Sequence, residues 1–109
     1  MNYYDNNEIL ADLNGNVYVD RVYCLDFNLF DSKCWSNLSQ VYRLLPNQII
    51  IDNIEQAIWF GEESSCEHYL YASVEPSGLQ VTGFLNNSDW NMWEQIFNAH
   101  LTEFPLFEM

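Results

Sequence analysis

Cations are what this chain lacks. Three Lys and Arg side chains stand against sixteen Asp and Glu, a formal net charge of −13. Arg43 is the last of the three; the 66 residues from Leu44 to Met109 hold ten carboxylates and neither Lys nor Arg. So few cations exclude a direct grip on nucleic acid or on an anionic membrane, since both need Lys and Arg to neutralise phosphate. They also exclude internal pairing of most of the acids. Unpaired charge at this density destabilises the compact state by self-repulsion, and a strongly positive partner surface would offset that cost. Added carboxylates can serve solubility alone, but ordinary soluble surfaces intersperse both signs.

Other scarcities remove whole classes of chemistry. The three cysteines, Cys24, Cys34 and Cys66, are odd in number and form no CxxC. They read as free thiols rather than a disulfide framework, which places the chain in the cytoplasm. Cys66 and His68 could supply two zinc ligands, but neither His100 nor the other cysteines add the spaced pair a tetrahedral site needs. No metal and no cofactor is therefore expected. A nucleophilic thiolate wants an electropositive setting, and Glu67 between Cys66 and His68 gives the opposite. The adjacent acids Glu62 and Glu63 carry no acid–base geometry of their own. The four glycines sit at turns or within a strand, so no phosphate-cradling loop is present. Enzymatic activity is not expected. No apolar run approaches the roughly 20 residues of a membrane span, and Met-Asn-Tyr-Tyr-Asp at the start lacks the basic and apolar regions of a leader.

Apolar residues are plentiful. Hydrophobic residues make up 49% of the chain and aromatics 17%, far too many for an acidic disordered tail. The expectation is one folded domain, residues 1–109, with an acidic skin. Asn14-Gly15 between residues 8–13 and 16–25 is a hairpin signal, because a type I′ turn needs positive φ at both central positions. Alternation in the second of these runs puts Val17, Val19, Arg21 and Tyr23 on one face. Asp31 or Ser32 caps a helix to about Leu45, with Trp35, Leu38, Val41, Tyr42 and Leu45 on one side. Gln48–Ile51 reads as a short buried strand. Residues 67–75 and 79–85 form a second hairpin about Pro76-Ser77-Gly78. Ser88 caps a helix from Asp89 to about Phe104, whose stripe is Trp90, Trp93, Phe97, Leu101 and Phe104. The fold class expected is α+β: an antiparallel sheet of two hairpins plus a short strand, with two amphipathic helices packed on one face.

Between the short strand and the second hairpin lies the segment richest in interaction chemistry. Asp52 and Glu55 have capping-box spacing for a short helix through Trp59 ending at Gly61; the alternative is a strand over Ile58–Phe60. Five acids, Asp52, Glu55, Glu62, Glu63 and Glu67, surround Trp59-Phe60. Acids steer a basic partner and an aromatic anchors it, so Asp52, Glu55, Trp59, Glu62, Glu63 and Glu67 are the candidate partner-binding residues. Were the element a strand, Trp59 and Phe60 would point to opposite faces, leaving at least one exposed.

In its size, its α+β pattern and the acidic aromatic segment Asp52–Glu67, the chain resembles the small acidic immunity proteins of bacterial toxin systems, including contact-dependent inhibition. The resemblance implies an inhibitor of a basic toxin domain, often a nuclease, whose phosphate-binding Lys and Arg would meet carboxylates here. A phage-encoded nucleic-acid mimic acting on a restriction or CRISPR effector is the alternative. The acid-free stretch Ser32–Ile51, with Lys33 and Arg43, interrupts the charge such a mimic needs. A small enzyme or ligand-binding domain with a pocket about His68 or His100 is a third.

Overall fold

The computed structural model describes residues 10–49, 57–62 and 65–106, together with the backbone of Tyr3 and Tyr4. In chain order these form β1 (Tyr3–Tyr4), β2 (Asn16–Tyr23), α1 (Ser32–Leu44), β3 (Gln48–Ile49), β4 (Ala57–Trp59), β5 (Tyr69–Glu75), β6 (Gly78–Asn86) and α2 (Asn87–His100). Short 3-10 turns cover Phe27–Leu29 and Leu101–Glu103. The fold is α+β. Its described strands make a six-stranded sheet in the order β1-β2-β6-β5-β4-β3, with each neighbouring pair antiparallel.

The centre of the sheet is β2, β6 and β5. Valine-rich β2 pairs with β6 along its whole length, from Asn16↔Asn86 to Tyr23↔Leu79. The hairpin β5–β6 closes at Glu75↔Gly78, so its connection is the two residues Pro76 and Ser77 rather than three. On the N-terminal side β2 pairs with β1; residues 8 and 9 of the expected hairpin strand lie outside the described residues. Leu10 to Asp12 are not strand. Asp12 organises that turn instead, its carboxylate accepting from the backbone N–H of Asn14 and Asn16 at 2.8 and 3.0 Å.

Period-two alternation divides the sheet into two unlike faces. One carries Val17, Val19, Arg21 and Tyr23 of β2, Leu79, Val81 and Leu85 of β6, Leu70 and Ala72 of β5, and Trp59 of β4, all buried. Apart from Arg21, these join Leu38 and Val41 of α1, Trp90, Trp93 and Phe97 of α2, and Leu101 and Phe104 beyond it in one hydrophobic cluster. Trp93 is its hub: its ring stacks on Trp90 and Phe97 and meets Trp59 edge-on at 5.1 Å. Such pairs add to the stabilisation from buried ring area.

Both helices depart in detail from their sequence signals. Asp31 caps α1, accepting from the N–H of Cys34 at 2.8 Å. Asn86, not Ser88, caps α2, which gives way to the 3-10 turn after His100. Trp35, expected in the core, is 42% exposed. It stacks flat on Phe27 at 5.3 Å and meets Phe30 edge-on. The α1 stripe is wider than the surface α1 covers, and Trp35 lies at its margin.

Candidate functional site

Burial of Arg21 decides the electrostatics of the surface. Alternation sets this side chain on the core face of β2, where it is only 4% exposed. Its guanidinium pairs with Glu94 of α2 and lies 5.5 Å from the centre of the Trp90 ring and 6.0 Å from that of Tyr23. A buried guanidinium needs such partners, because removing it from water unpaired is costly. One of three side-chain cations is thereby withdrawn from solvent. Lys33 and Arg43 remain, both exposed and both on α1. Every other exposed side-chain charge is a carboxylate, apart from what protonated histidine adds. Among the described residues Asp12, Asp31, Glu67 and Glu103 are exposed, and Asp20, Asp26, Glu62, Glu75 and Asp89 are half-exposed. His100 is paired with Glu103.

The candidate patch is only partly described. Asp52, Glu55 and Glu63 lie outside the described residues. The segment through Trp59 is not helix over its described part: Ala57–Trp59 is β4, pairing Ile58↔Tyr71 and Trp59↔Leu70 with β5. Trp59 faces the core at 0% exposure, and its indole N–H donates to the Tyr42 carbonyl at 3.2 Å. This corrects the reading of Trp59 as a partner anchor: a ring held between Tyr42 and Trp93 has no face left to offer. Phe60, half-buried, ends the strand in the left-handed region at φ 70°. That conformation is uncommon for a bulky residue. A hydrogen bond from its N–H to the Asn47 carbonyl, 2.9 Å, ties it to another left-handed residue.

Glu62 and Glu67 stand on the loop that follows. The Glu62 carbonyl accepts from the N–H of Ser65 at 3.1 Å and of Cys66 at 2.8 Å, closing a tight turn. Gly61 fits where a side chain would not: a Cβ there would meet the His68 carbonyl oxygen at 2.4 Å. Gly61 is thus a point of close backbone approach, not the end of a helix. Glu67 is exposed and Glu62 half-exposed.

Sequence reasoning passed over the other face of the sheet. It carries Tyr18 and Asp20 of β2, Gln80, Thr82 and Phe84 of β6, and Tyr69, Tyr71, Ser73 and Glu75 of β5. Register sets Tyr18, Phe84 and Tyr69 in one row across three strands, and Asp20, Thr82, Tyr71 and Ile58 in the next. Tyr18 is 62% exposed. Tyr69 and Tyr71 lie nearly parallel, 6.2 Å between ring centres. Both carboxylates are held by neighbours: Gln80 Nε2 donates to Asp20 at 3.1 Å, and Ser73 Oγ donates to Glu75 at 3.0 Å. The signal was present in the alternation of Tyr69, Tyr71, Ser73 and Glu75 with Leu70 and Ala72. It marks a strand face rich in aromatics, on which Tyr18 is exposed and Tyr69, Tyr71 and Phe84 are half-buried.

Among the described residues, no three His, Cys, Asp or Glu side chains gather as a metal site requires, and no helix is long and apolar enough to cross a membrane. No protein-family model matches the chain, and no curated protein or solved structure matches it either.

Proposed function

We propose that this chain is a protein-binding inhibitor that neutralises a strongly basic protein domain by surface charge complementarity, as an immunity protein neutralises a nuclease-like toxin. The observation that carries the reading is the disposition of the cations. With Arg21 buried against Glu94, the exposed ones are confined to α1, and the remaining surface is acidic. A surface of one sign raises encounter rates with a partner of the other sign and rejects partners of its own. Solubility alone requires no such segregation.

The test is co-purification with the protein encoded beside this chain's gene, followed by charge reversal at Glu62, Glu63 and Glu67. A stoichiometric complex weakened by the reversals supports the reading. A complex that forms with unchanged affinity removes this loop from the contact. No complex, and no inhibition of the neighbour's activity, contradicts the reading.

A further inference from the structure

Inhibition of a basic partner employs the acids and leaves the two exposed cations without a role. We propose that they bind a second copy of this chain, in a two-fold dimer that sets α1 of each copy across α2 of the other. Lys33 stands in the first turn of α1 and Arg43 in its last. No acid occurs in the sequence between Asp31 and Asp52. The second helix is the reverse: Asp89 stands in its first turn, Glu103 lies just past its end, and it carries neither Lys nor Arg. Glu94, between them, is taken by Arg21. The two helices touch and pack on the same face of the sheet, so a cationic and an acidic helix stand side by side.

A chain of net charge −13 repels its own copies, so they approach most readily where opposite charges meet. An isologous interface sets one patch against itself: residue i meets j, and j meets i. A two-fold axis running between the helices does this here, because it lays the cationic helix of each copy over the acidic helix of the other. The helices are of nearly equal length, 13 and 14 residues. With a cation near each end of α1 and an acid near each end of α2, both ends find opposite charge whichever way the helices run. Apolar area accompanies the charges on both: Leu44 of α1 is 60% exposed and Met92 of α2 is 51% exposed.

The experiment is sedimentation equilibrium of the full chain at about pH 8, where histidine is ordinarily neutral, so that His100 adds no charge beside Glu103. A reductant is present because Cys66 is exposed. Wild type should pass from monomer to dimer as its concentration is raised towards about 1 mM. Lys33→Glu with Arg43→Glu should weaken the dimer about tenfold or more. Asp89→Lys with Glu103→Lys should weaken it by a similar factor, although it makes the chain less negative and relief of general repulsion alone would strengthen association. All four changes in one chain keep the net charge and exchange the signs of the two helices, so that variant should dimerise about as tightly as wild type. Monomer at every concentration overturns the inference and leaves the helical side to an acidic partner of another kind. A dimer that either pair of changes leaves intact, or that the fourfold exchange does not restore, overturns it as well. None of these results bears on the acidic-surface reading, which is tested with the neighbouring gene's product.

Discussion

Arg21 and Trp93 show how single residues set the properties of the molecule. Glu94 lies 73 positions from Arg21 in sequence, so the pair joins β2 to α2 and holds the only buried cation. Removing one partner of such a pair strands the other charge, whereas replacing both with apolar groups is often neutral. Glu94→Ala is therefore expected to cost about 3 kcal/mol. Arg21→Met combined with Glu94→Leu should recover most of it, as a double-mutant cycle by denaturant unfolding would read. Trp93 sits at the centre of the aromatic cluster with no exposure. Trp93→Ala should cost about 3–5 kcal/mol, and a loss below about 1 kcal/mol would place the hub elsewhere.

At the scale of elements, the cap of α1 has a pH signature. The N–H of Cys34 holds the Asp31 carboxylate below its usual pKa. A depressed folded value stabilises fully above the unfolded range, near pH 3.9, and fades as pH falls through the folded value. Asp31→Ala should lower Tm at neutral pH and make progressively less difference as the medium is acidified below that range. In the sheet, a Cβ at Gly83 would meet the Tyr69 carbonyl oxygen at 2.3 Å. Gly83→Ala should thus destabilise by more than about 1 kcal/mol, since backbone rather than a mobile side chain must yield. Elements with a sustained period were legible in the sequence: α1, α2, β5 and β6 stand where spacings of three and four, or of two, set them. Ala57–Trp59 was not, because a short apolar run before Gly-Glu-Glu suits a helix end or a strand equally. Trp59 was misassigned for a related reason: which of two adjacent aromatics turns inward depends on pairing with β5. The aromatic face opposite the core was written in the alternation of β5 and β6, but alternation within a strand does not say which residues of neighbouring strands share a row. Only the cross-strand register brings Tyr18, Phe84 and Tyr69 together.

The whole molecule is an acidic shell around an aromatic core, its two exposed cations confined to one helix. Self-repulsion of that shell is screened by salt over about 10 Å at 0.1 M. Thermal stability at neutral pH should therefore rise between about 10 mM and 500 mM sodium chloride, as scanning calorimetry would show. A fall would mean that attractive pairs outweigh repulsion at the surface. The same screening bears on the proposed role, since a complex formed by charge complementarity must weaken where the chain itself gains stability. The most direct measurement is the association rate with the neighbouring gene's product as a function of ionic strength. A rate approaching 10⁸ M⁻¹s⁻¹ is expected at low salt, falling steeply as salt is added, to roughly 10⁵–10⁶ M⁻¹s⁻¹. A rate independent of salt would contradict it, for the acidic surface would then play no part in finding the partner.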